Sequence, residues 1–121
     1  MANMLRAARD ELKTQLTAAG ITVHDHVPER LAPPAAVIEP GSPYVTSGDT
    51  FCDYMTRFNV VLFAAVAANK VATDELDRHI CAVLEAVDTF DLDGVDSPST
   101  FDVNGAAYLG ARIQYLHHSD I

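Results

Sequence analysis

The chain has 121 residues, room for one domain spanning 1–121, and its 49% hydrophobic and 21% charged content supports a core and excludes wholesale disorder. Seventeen acidic residues against eight basic ones leave a net charge of −9, which excludes nucleic-acid binding by counterion release. The excess is uneven, since residues 85–121 hold seven carboxylates and only Arg112 among Lys and Arg.

Asn3 is placed to cap a first helix over residues 4–19. Leu5, Ala8, Leu12, Leu16 and Ala19 fall on one stripe at helical spacing, and Gly20 stands where a left-handed residue ends a helix. Residues 21–27 alternate as a strand. Pro28, Pro33 and Pro34 predict a turn over 28–34, followed by a short strand over 35–39. Residues 40–49, PGSPYVTSGD, are rich in Pro, Gly and Ser and predict a long loop.

The organising stretch is residues 51–68, FCDYMTRFNVVLFAAVAA. Its first half alternates. One face carries Cys52, Tyr54, Thr56, Phe58, Val60 and Leu62, apolar except for Thr56; the other carries polar Asp53, Arg57 and Asn59 before Val61 and Phe63. Alternation marks a half-covered strand, and its loss after Asn59 predicts cover on both faces. At ~3.3 Å per residue such a strand outreaches a compact sheet, so one end is expected to project as a hairpin arm. Thr73 is expected to cap a second helix with the stripe Leu76, Ile80, Val83, Leu84 and Val87. Residues 88–98 read as an acidic connection. Residues 99–103 and 106–117 read as a final hairpin around Asn104-Gly105. Keeping Phe101 and Val103 on the same face as Ala107, Leu109, Ala111, Ile113 and Tyr115 requires a three-residue loop that pairs Asp102 with Ala106.

These elements give the order α-β-β-β-α-β-β. The fold class is α+β, a mainly antiparallel sheet with two helices on one face and a projecting hairpin or loop.

Candidate chemistry is sparse. His24-Asp25-His26 has the spacing of a metal pair but no further ligands. Asp91-Leu92-Asp93-Gly94-Val95-Asp96 lacks the glycine and the final glutamate of a calcium loop. No nucleophile elbow or phosphate-binding loop occurs. No catalytic residue, metal or cofactor is therefore expected, and the chain is not read as an enzyme. The N-terminus MANMLRAARDEL lacks a leader-like apolar segment, which predicts a reducing compartment with Cys52 and Cys81 as small buried thiols. No apolar run reaches the ~20 residues of a membrane span. Val61, Phe63 and the alanines after them exceed what two helices on one face can cover. Surplus apolar surface points to self-association, and a charge at Val61 or Phe63 is expected to weaken assembly more than folding.

The chain resembles the tail terminator proteins of long-tailed, siphovirus-type bacteriophages, especially those infecting actinobacteria. The resemblance rests on the opening helix with Gly20 and on Val27-Pro28-Glu29-Arg30. It rests also on Pro33-Pro34-Ala35-Ala36-Val37, on Pro40-Gly41-Ser42-Pro43-Tyr44 and on the strand over 58–63. The second helix around Asp74 and the run Ala107-Tyr108-Leu109-Gly110-Ala111-Arg112-Ile113 complete it. It implies a structural virion protein forming a ring, generally hexameric, that caps the finished tail tube and joins it to the head connector or stopper. DNA would pass through the lumen without specific binding. The place implied is the head-proximal end of the tail, reached from the host cytoplasm during assembly. On this reading Pro43, Tyr44, Val45, Phe51, Met55, Val61 and Phe63 are expected at a subunit or tube interface, and Asp91, Asp93 and Asp96 at an acidic lumen. The alternatives are another connector or a tail-tube subunit of the same particle, or a small soluble α+β enzyme or ligand-binding domain.

Overall fold

The computed structural model describes residues 3–24, 34–48, 53–65 and 70–120. Helix α1 spans Met4–Ala18, and the Asn3 side chain accepts a hydrogen bond from the Arg6 amide at 3.0 Å. That bond satisfies one of the amides a helix start leaves unpaired. Gly20 follows with φ +84°, as the helix end requires. The buried stripe is Ala8, Leu12 and Leu16.

Strand β1, Thr22–His24, runs parallel to β2, Ala35–Ser47; β2 pairs antiparallel with β3, Asp53–Ala65. Helix α2, Lys70–Ala86, leads to β4, Asp91–Val95, β5, Ser99–Val103, and β6, Ala106–Asp120. The sheet order is β1-β2-β3-β6-β4, with β5 also paired to β6. β4 and β5 lie in succession along one side of β6, against its residues 113–116 and 106–110. The class is α+β with a mostly antiparallel six-stranded sheet.

Both helices pack on one sheet face. Leu12 and Leu16 of α1 and Leu76 and Val83 of α2 join Ile38, Phe58, Val60, Leu62, Ala111, Ile113 and Tyr115 in one core cluster. Thr56, the polar member of this face, is buried as well. Polar contacts fasten α1 to the segment after α2. Gln15 Nε2 donates to Thr89 Oγ1 at 2.6 Å, Thr89 Oγ1 donates to Glu11 Oε2 at 2.9 Å, and the Asp88 amide donates to Gln15 Oε1 at 3.2 Å.

Several expectations are corrected. Residues 40–47 are strand, not loop. Among the described residues β1 pairs β2 at residues 35–37 alone, which leaves this half of β2 as an edge, where proline is tolerated. The acidic connection contains a strand, β4, which adds one β to the expected order. Helix α2 starts at Lys70, so Thr73 lies inside it and is not its cap. Cys81 is exposed; Cys52 lies outside the described residues. Residues 25–27 of the first strand and the tip of the β2–β3 hairpin also lie outside them. No two-stranded arm forms below that tip, because β6 follows β3 as far as the pair Asp53 and Asp120.

The final turn is also corrected. Val103 pairs directly with Ala106, Asn104 has φ 50° and Gly105 φ 87°, which is the two-residue turn with both central residues left-handed. Phe101 and Val103 therefore face away from Leu109, Ala111 and Ile113. A second apolar cluster receives them there: Ala35, Val37, Val61, Phe63 and Tyr108, with Phe101, Val103 and Ala106 packed against it.

A helix-free sheet face with a polar groove

The face opposite the helices has two halves. The apolar half holds the second cluster, where Phe101 and Tyr108 lie edge-on to Phe63 at 5.7 and 5.8 Å between ring centroids. Val61 and Phe63 are only 4% and 3% exposed. The bare apolar surface expected at these two residues is instead largely buried within the cluster, so a charge there strikes folding first.

An ion pair marks the border between the halves. Arg112 Nε lies 3.2 Å from Glu39 Oε1, and its guanidinium carbon lies 5.8 Å from the Phe101 ring centroid. Both partners are about one-third exposed, which limits such a pair to ~0–1 kcal/mol. Its effect is to orient Arg112 along the face.

The polar half is built by two irregularities of register. In β2, Pro40 pairs with Phe58 and Val45 with Thr56, so residues 41–44 stand opposite Arg57 alone. In β4, Leu92 pairs with Tyr115 and Gly94 with Gln114, which leaves Asp93 out of the ladder. Bulges of this kind bend a strand and re-aim its side chains. The two flank one groove of about 220 Å³, with Gly41 and Ser42 on one side and Asp93 on the other. Arg57, Asn59 and Gln114 line it from the central strands β3 and β6. Gly41 lies so close over the arginine stem that a Cβ would sit 2.6 Å from Arg57 Cβ. Arg57 Nη1 donates to Thr46 Oγ1 at 3.2 Å, and Gln114 Nε2 donates to Asp96 Oδ1 at 3.1 Å. Among the described residues, the side chains of Asn59 and Asp93 form no hydrogen bond.

The residues expected at an interface are scattered. Met55, Val61 and Phe63 share the helix-free face by register. Tyr44 turns the other way. Its hydroxyl accepts from Arg9 Nη2 at 2.7 Å and its ring meets Phe58 at 5.9 Å. Pro43 is exposed and Val45 half-buried at the β2 bulge. Phe51 lies outside the described residues. Asp91, Asp93 and Asp96 are all exposed along the β4 edge, with His118 Nε2 3.2 Å from Asp91 Oδ2. Leu92 and Val95 are exposed beside them.

The groove itself is absent from the sequence reading. Its one available signal was Arg57 and Asn59, polar at period two in a strand otherwise becoming apolar; Gln114 gave none. Of the proposed metal pair, His24 is half-buried on β1, while Asp25 and His26 lie outside the described residues. Among the described residues no three His, Cys, Asp or Glu side chains sit close enough to hold a metal ion, and no helix is long and apolar enough to cross a membrane. Neither protein-family models nor curated proteins give a match to this chain.

Proposed function

We propose that the chain is a structural subunit of the tail-terminator kind. It forms a ring, hexameric by the family pattern, that closes a phage tail tube and meets the head connector on its other side. The observation that supports this reading best is the β4 edge. Among the described residues nothing pairs with its outer side, and it carries exposed Leu92 and Val95. An open edge with apolar side chains is a template for pairing with another chain. A closed ring joins two unlike patches, and the opposite border of the sheet, β1 and β2, supplies a second patch. Asp91, Asp93 and Asp96 on the same edge disfavour gripping a phosphate backbone, as suits passage of DNA. Pro43, Val45 and Met55 enter as accessible contact residues; Val61 and Phe63 contribute only through the rim of their cluster.

The test is negative-stain imaging of the purified protein with and without polymerised tail tubes. Rings, or caps on tube ends, are expected. Monomers that ignore tubes overturn the proposal, and tubes that lengthen on addition assign the chain to the tube instead. The double variant Leu92→Lys/Val95→Lys is expected to abolish rings while leaving the circular-dichroism melt unchanged, since both residues are already exposed.

A further inference from the structure

We infer that the polar groove between the two bulges is a binding site for a small zwitterion of the free amino-acid class. The inference does not depend on ring formation, although Asp93 also lies on the β4 edge.

Arg57, Asn59 and Gln114 lie on β3 and β6, the central strands, half-buried on the face that no helix covers. Half-buried polar groups without partners are unfavourable unless something satisfies them. Arg57 presents five donors in a planar fork, and the Thr46 contact occupies only one of its nitrogens. Asn59 and Asp93 lie on the same groove with no side-chain hydrogen bond among the described residues. Both strands bounding the groove break register there, one to bring Ser42 and one to bring Asp93. Bulges occur at sheet edges and beside binding sites, and here two of them converge on one groove.

The charges define the ligand. Arg57 is one cation and Asp93 one anion, so a net-neutral ligand bearing both signs leaves neither unpaired. Its carboxylate meets the Arg57 guanidinium fork, the geometry that favours bidentate contact, with the Asn59 amide as a further donor. Its ammonium meets Asp93, and the Ser42 hydroxyl and Gln114 carbonyl oxygen remain as acceptors. The volume sets the size. At about 220 Å³ the groove is smaller than drug-sized sites of roughly 300–1,000 Å³. It holds about seven waters at ~30 Å³ each, which suits a single amino acid.

The experiment is a ¹H–¹⁵N titration of the full chain, read at the side-chain amide signals of Asn59 and Gln114. The probes are glycine, L-alanine and L-glutamate, with acetate and methylamine as half-ligands. Saturable shifts are expected with at least one amino acid, and much weaker ones with either half-ligand. Asp93→Asn is expected to weaken amino-acid binding about tenfold while leaving acetate unchanged. Arg57→Gln is expected to abolish binding, and Arg57→Lys to restore part of it. Asp93 is exposed, so its variant keeps the test open if an arginine variant fails to fold. No saturable shift with any amino acid overturns the inference. So does acetate binding as tightly as amino acids and indifferent to Asp93→Asn, which would reduce the groove to a plain anion site.

Discussion

Tyr115 offers the sharpest test of how the core is packed. The residue is 2% exposed, its ring lies edge-on to Phe90 at 6.2 Å, and its hydroxyl has no hydrogen-bond partner among the described residues. A buried hydroxyl left unpaired costs about 1–3 kcal/mol. Tyr115→Phe removes that cost and keeps the ring, so the variant is expected to gain about 1 kcal/mol, or roughly 4 °C in melting temperature. Burial also pushes the phenol up from 10.0 to about 12. The unfolded chain ionises first. The contribution of the neutral phenol is therefore complete below pH 10 and is lost as pH rises through about 12. By pH 11 this loss amounts to about 1.4 kcal/mol in the wild type and to nothing in Tyr115→Phe. Urea denaturation of both proteins at pH 8 and pH 11 reads the two effects separately. The expected result is a variant more stable at pH 8 whose advantage grows by about that amount at pH 11. A variant destabilised by more than about 1 kcal/mol, or an advantage that does not change with pH, would refute the reasoning and show the hydroxyl to be paired.

Four further predictions rest on close contacts, backbone conformation and burial. Gly110→Ala places a Cβ 2.6 Å from the Leu62 carbonyl oxygen and 3.1 Å from the Phe101 ring, and is expected to cost at least about 2 kcal/mol in urea denaturation. Gly94→Ala, with nothing nearer than Gln114 Oε1 at 3.8 Å, is expected to be close to neutral. Gly105→Ala meets no neighbouring atom but must hold φ 87°, so about 1–2 kcal/mol of backbone strain is expected; a neutral result would contradict the two-residue turn. Val61→Asp puts an unpaired carboxylate into the second apolar cluster and is expected to unfold the chain by circular dichroism. A folded Val61→Asp protein that merely fails to form rings would return Val61 to the subunit interface.

The helices were legible because their signals are local and redundant. Asn3, the stripe through Leu12 and Leu16, and Gly20 each point to the same boundaries of α1. Residues 58–63 were legible for a different reason: loss of alternation reports cover on both sides, and residues 60–63 are all buried. The elements missed were edges. Pro40, Gly41 and Pro43 read as breakers because a proline removes a donor, yet an edge strand tolerates proline, and among the described residues β1 does not reach this half of β2. Asp91, Asp93 and Asp96 read as a solvated connection because acidic residues are poor strand formers, yet an exposed edge strand accommodates them.

The turn at Asn104-Gly105 shows why the groove stayed hidden as well. The dipeptide alone indicated a two-residue turn. A three-residue loop is expected instead, because the two-residue turn sends Phe101 and Val103 to the face away from Leu109, Ala111 and Ile113. The premise was a sheet with one core face. In the folded chain the second face has its own cluster around Phe63, so both apolar sets are satisfied on opposite sides. A sheet covered by helices on one side and by its own aromatic side chains on part of the other leaves a bounded remainder. That remainder is the polar half, held between the Glu39–Arg112 pair and the β4 edge. Each residue lining it is unremarkable in sequence. What makes them a site is register, since three extra residues in β2 and one in β4 bring Ser42 and Asp93 to bear on Arg57, Asn59 and Gln114. Register across four strands is a long-range property, and no local pattern in a single chain encodes it.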